Sequence, residues 1–187
     1  MSTSKVRGLT AGLVALLVGV ASAAPFEDTQ KVQAGDLAFK APASWKSERP
    51  SNGMRKAQMK VAAAAGDDEA AELVVTSFGG PVGGVDANIK RWEGQFQDAD
   101  KATPKAKVEK RKGVNVEVTR VEVGGRYVAA MMPGQPAKND KPNYRLLGAI
   151  VMTPDTGYFF KLTGPDKTIR DATKGFDAMI ESMTLDK

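Results

Sequence analysis

Histidine and cysteine are both absent from the 187 residues, and this narrows what the side chains can do. Ser-His-Asp and Cys-His nucleophilic catalysis need a base or a thiol that the chain does not have. Ordinary zinc, haem and iron–sulfur sites need ligands that it does not have. Ser77 lies in VTSFG, half of a nucleophile elbow, but Val75 stands where the first glycine belongs. It reads as a serine at the end of a strand.

Four other groupings invite chemistry. The run FGGPVGG offers Gly79, Gly80, Gly83 and Gly84 between a strand and a helix. Such a loop can cradle an anion through backbone N–H groups. No Lys-Ser/Thr pair follows it, however, and the spacing is not G-x-G-x-x-G, so a tight turn that folds the helix back is the simpler reading. Asp67, Asp68, Glu69 and Glu72 cluster without the alternating spacing of a calcium loop, as expected of a solvated hairpin tip. Met54, Met59, Met131 and Met132 suggest copper(I), but strand methionines usually fill cores. Two carboxylates from distant loops would suffice for a hydrolase, and no particular pair stands out. No cofactor or metal is expected.

The elements that would position any site are clearest from Tyr144 to Met183. Leu146, Leu147, Ile150, Val151 and Met152 form a run apolar on both faces, as in a central strand. Pro154 to Gly157 supplies a turn, and Tyr158, Phe160 and Leu162 alternate with Phe159, Lys161 and Thr163 on the return strand. Ile169, Ala172, Phe176, Met179, Ile180 and Met183 then recur at helical spacing. Earlier strands are expected at Leu37–Pro42, Met54–Val61 and Leu73–Phe78, with Ala62–Ala71 as a hairpin loop. A helix capped by Asp86 should carry Val85, Ile89, Trp92 and Phe96 inward. Val114, Val116 and Val118 are out of phase with Val121 and Val123. A bulge near Thr119 or Arg120, or a strand buried on both sides, would explain the slip. Gly124-Gly125 is expected to turn the chain. The order of elements favours α+β, one antiparallel sheet of about six to eight strands with two main helices packed on it.

The N-terminus is a different kind of segment. Lys5 and Arg7 precede an apolar run from Leu9 to Val20, and Ala21-Ser22-Ala23 offers small residues for cleavage. Residues 1–23 are therefore expected to be a signal peptide for general secretion, residues 24–36 a flexible lead-in, and residues 37–187 a single domain. The sixteen residues from Leu9 to Ala24 fall short of the roughly 20 that a spanning helix needs. No transmembrane segment should remain after cleavage, and the mature chain should be periplasmic or extracellular. Cleavage removes two bases and no acid, so the net charge falls from +5 to +3. That scattered excess is no nucleic-acid footprint.

A resemblance adds to this reading. Pro42 and Trp45 after an early strand, ANIKRWEGQF in the middle, then YRLLGAIV, GYFFKLTGP and FDAMIESM resemble a group of exported bacterial proteins. Their arrangement is similar to the PsbP-like fold, which also occurs in a nuclear import factor and in DcrB-like envelope proteins. The resemblance spans roughly residues 37–185, and it implies a non-enzymatic binding or assembly module acting on another envelope component. The alternatives are a carboxylate- or metal-dependent hydrolase, and a small-molecule or anion carrier with its pocket between helix and sheet. Partner contacts are expected near Trp45 and in the loop Pro133–Asn143, at Pro136, Lys138 and Lys141. Mass spectrometry of exported protein should find a chain beginning at Ala24; a chain that retains Met1 would contradict the signal peptide.

Overall fold

The computed structural model describes residues 28–80, 83–129 and 140–186. The expected leader and Pro136, Lys138, Met131 and Met132 lie outside these residues. Alternating apolar and polar residues build most of the chain into strands. In order these are β1 (Thr29–Ala34), β2 (Leu37–Pro42), β3 (Lys46–Glu48), β4 (Arg55–Val61) and β5 (Ala71–Gly79). Helix α1 (Val85–Glu93) follows, then β6 (Phe96–Gln97), β7 (Lys107–Lys112), β8 (Glu117–Tyr127), β9 (Lys141–Met152) and β10 (Thr156–Pro165). Helix α2 (Asp166–Glu181) and β11 (Thr184–Leu185) close the chain.

The main sheet has eight strands in the order β3-β4-β5-β10-β9-β8-β6, with β7 also paired to β8. Every pair is antiparallel. The α+β class and the two helices agree with the sequence reading; the single sheet does not. A second, three-stranded sheet, β1-β2-β11, packs beside α2. Its β1 is built from residues expected to be a flexible lead-in, because Thr29–Ala34 pairs along the whole of β2.

The sheet buries both faces. On one, Leu73, Val75, Leu147, Ala149, Val151, Phe160 and Leu162 meet Ile169, Phe176, Met179 and Ile180 of α2, together with Leu37, Phe39 and Trp45. On the other, Val121, Val123, Leu146, Ile150 and Phe159 meet Ile89 and Trp92 of α1 and Phe96. The two valine phases of β8 therefore serve two cores. Val118 belongs to the α2 side and Val121 and Val123 to the α1 side. Register with β9 is unbroken from Thr119 to Gly125, so burial on both sides, not a bulge near Arg120, explains the slip.

Gly124-Gly125 is no turn. Both residues lie inside β8, whose register shifts just beyond them, between Gly125 and Tyr127. At Gly125, φ is +149° and a Cβ would lie 2.4 Å from the Gln97 carbonyl oxygen, so glycine is what lets β6 approach. Helix α1 is shorter than its apolar spacing suggested. Gly84, not Asp86, is the N-cap, and Gly94 ends the helix, which puts Phe96 in β6 opposite Tyr127.

A charged layer also ties α2 to the sheet. Arg120, with a side chain 4% exposed, donates to Asp177 and Glu122, while Arg145 donates to Glu122 and Asp166. The α2 N-terminus is capped from a distance. The Asp67 carboxylate in the β4–β5 loop accepts from the Thr168 N–H at 2.9 Å and its hydroxyl at 2.6 Å.

Candidate functional site

The residues singled out by sequence do not converge. Trp45 is 4% exposed and packed in the α2-side core, beside Gly175; packing accounts for it. Lys141, expected in the loop Pro133–Asn143, instead opens β9 and binds the Glu69 carboxylate. In the glycine loop, the Gly80 N–H donates to the Asp155 carbonyl at 3.0 Å. Gly79 pairs with Thr156, and the carbonyls of Gly83 and Gly84 accept from the Asn88 side chain. Each of the four glycines is thus engaged by a neighbouring residue.

The acidic cluster is likewise dispersed. Asp67 caps α2, Glu69 takes Lys141 and the Tyr144 hydroxyl, and Glu72 takes Arg55 and Gln58. Among the described residues no three acids are placed to hold a metal ion. Met54 is exposed and Met59 is buried in the core. Ser77 sits in β5 opposite Tyr158.

A different site forms where α1 stops covering the sheet. A nine-residue helix is about 14 Å long and roughly 10 Å wide, whereas the seven-strand path spans about 29 Å at ~4.8 Å per step. Trp92 fixes where the helix lies. A Cβ on Gly148 of β9 would come within 2.2 Å of the Trp92 ring, so the indole rests directly on that glycine. Over β10 and β5 the face is left open as a cavity of about 540 Å³, within the usual size of a small-molecule site.

Strand alternation decides what lines it. Phe159, Lys161 and Thr163 of β10 share this face with Glu72, Val74, Thr76 and Phe78 of β5. Arg55, Arg91, Trp92, Gln95, Tyr127 and Tyr144 form the walls. The Lys161 ammonium donates to Gln95 Oε1 at 2.6 Å and to the Tyr127 hydroxyl at 3.2 Å, and lies 5.3 Å from the Tyr127 ring centre. Tyr127 stacks on Tyr144 with centroids 5.8 Å apart. The Thr163 hydroxyl oxygen is buried with no hydrogen-bond partner among the described residues.

Burial pushes the Lys161 ammonium down to about 8, with repulsion from Arg91 and Arg55 and opposing attraction from Glu72. Burial raises Tyr127, and burial with the Glu69 carboxylate raises Tyr144. Arg91 is exposed and held by the Asn88 side-chain oxygen; among the described residues no carboxylate pairs with it. The lining thus carries three cations against Glu72 alone.

The sequence sets Phe159, Lys161 and Thr163 on the phase of the return strand that alternates with Tyr158, Phe160 and Leu162. The available signal was a lysine between aromatic and hydroxyl residues on the non-core phase of a central strand. Such a face needs a second layer, and α1 is too small to supply all of it.

Solved structures similar to this chain include the following two. Cyanobacterial PsbP (CyanoP) from Synechocystis sp. PCC 6803 matches at TM-score 0.53 and 13% identity, over 90% of this chain and 98% of that one. LpqN, involved in cell envelope biogenesis of Mycobacterium tuberculosis, matches at TM-score 0.51 and 10% identity, over 86% and 91%. No family model matches the sequence, and no curated protein does. The fold is PsbP-like. Among the described residues no helix is long and apolar enough to cross a membrane.

The depressed Lys161 titration has a stability consequence. Below pH 8 the ammonium is charged in both folded and unfolded chains, and folding bears its desolvation. Between about 8 and the ordinary lysine value near 10.4 the unfolded chain binds more protons, so that cost is relieved as pH rises. Lys161→Met removes the cost at every pH. Urea unfolding should therefore show the variant's relative stability falling by about 2 kcal/mol between pH 7 and pH 9.5. A pH-independent difference would contradict a desolvated Lys161.

Proposed function

We propose that the protein is an exported, non-enzymatic binding module of the cell envelope that holds its ligand in the pocket between α1 and the sheet. The observation that carries this reading is the convergence of Lys161 and the Thr163 hydroxyl, which has no partner among the described residues, at the base of a concave, aromatic-walled cavity of about 540 Å³. Glu72, the single acid in that wall among the described residues, is engaged by Arg55 and Gln58. A two-carboxylate hydrolase would require a second acid facing it. Export rests on the N-terminal leader pattern, and the fold shared with LpqN is compatible with an envelope role.

Placing the photo-crosslinking residue p-benzoylphenylalanine at Phe78 tests the reading in intact cells. Phe78 lines the cavity and is already aromatic, whereas Lys174 on the solvent side of α2 is the control position. Irradiation should give a discrete adduct at position 78 and none at 174. Equal capture at both positions, or none at 78, would contradict the pocket as the binding site.

A further inference from the structure

The pocket is graded along its length. From Thr163 to Phe159 the lining side of β10 runs hydroxyl, ammonium, phenyl over four residues, about 13 Å at strand rise. The apolar end continues into a groove of about 260 Å³ lined by Phe78, Ala87, Phe159 and Arg91. Phe78, Phe159 and Arg91 border both cavities, so the two adjoin at the apolar end.

The lining has unused hydrogen-bonding capacity of one kind. An ammonium has three donors, and Lys161 spends two of them, on Gln95 and Tyr127. A guanidinium has five, and Arg91 shows one, to Asn88. Thr163 has a hydroxyl with no partner among the described residues. Arg55 is already committed to Glu72 and Gln58. Cations on an apolar bed, with donors to spare, suit an oxyanion whose remainder is hydrophobic.

We propose that the pocket and its adjoining groove bind an anionic amphiphile, its carboxylate set between Lys161 and Arg91 and its apolar body lying along Phe159 and Phe78. This rests on the pocket being the binding site and adds the ligand's chemical class. The head group takes the donors that Lys161 and Arg91 leave unused. The body removes Phe78 and Phe159 ring surface from water, which neither a bare anion nor an uncharged polar solute would do.

Calorimetric titration of the purified protein tests this with four probes: decanoate, decanol, acetate and inorganic phosphate. Decanoate should bind at least about tenfold more tightly than each of the others. Lys161→Met and the exposed Arg91→Gln should each weaken decanoate by about tenfold and leave decanol unchanged. Because Arg91 is on the surface, its variant keeps the test valid even where Lys161→Met perturbs folding. Decanol binding as tightly as decanoate would overturn the anionic head. Acetate or phosphate binding as tightly as decanoate would overturn the apolar body. Failure of all four probes would overturn the ligand class outright. In each of these cases the pocket itself stands or falls separately, on crosslinking at position 78.

Discussion

The seating of Trp92 on Gly148 sets the layout of the molecule. The indole is 3% exposed and lies so close to the β9 backbone that no side chain fits beneath it. Because the helix that carries it is only nine residues long, that contact fixes which part of the sheet is roofed and which is left open. A glycine here therefore does more than permit packing. It lets the helix sit low over β8 and β9, and the cavity over β10 and β5 is what remains.

The two faces of the sheet solve the same burial problem differently. On the α2 face a sixteen-residue helix and a three-stranded sheet close the layer, and the ionic side chains that remain inside are paired. Arg120, Glu122, Arg145, Asp166 and Asp177 form a continuous network, the arrangement that makes buried charge tolerable. On the α1 face, among the described residues, Lys161 has hydrogen-bond acceptors and an aromatic ring but no carboxylate within ion-pair distance, and the Thr163 hydroxyl has no partner. Groups under-satisfied in this way cost stability, and they cluster where the roof is missing. That coincidence is the physical basis for placing function on this face.

Much of the fold was legible because it is written in periodicity. The β9–β10 hairpin and α2 follow from Leu146 to Met183, where period two gives way to 3.6 and Pro154–Gly157 marks the turn. The β4–β5 loop was legible from Gly66 and its acids. The misreadings share a cause: they depended on what stands opposite a residue. Thr29–Ala34 looks weakly patterned because it forms an edge strand whose order comes from β2. Gly124-Gly125 looks like a turn until the Gln97 backbone is seen against it. Phe96 continues a helical spacing that Gly94 ends. The site was hidden for the same reason. Lys161 on its own reads as a solvent-facing charge, and only the alignment of β4, β5, β8 and α1 around it shows that it is enclosed.

Trp92 on Gly148 positions α1 and thereby leaves the cavity, independently of the α2 face. Hydrogen exchange of Gly148→Ala tests it most directly, because the added methyl would lie 2.2 Å from the ring and must displace it. Amides of α1 from Ile89 to Glu93 should lose protection while those of α2 from Ala172 to Ile180 keep theirs. Unchanged protection in α1, or an equal loss in both helices, would contradict it.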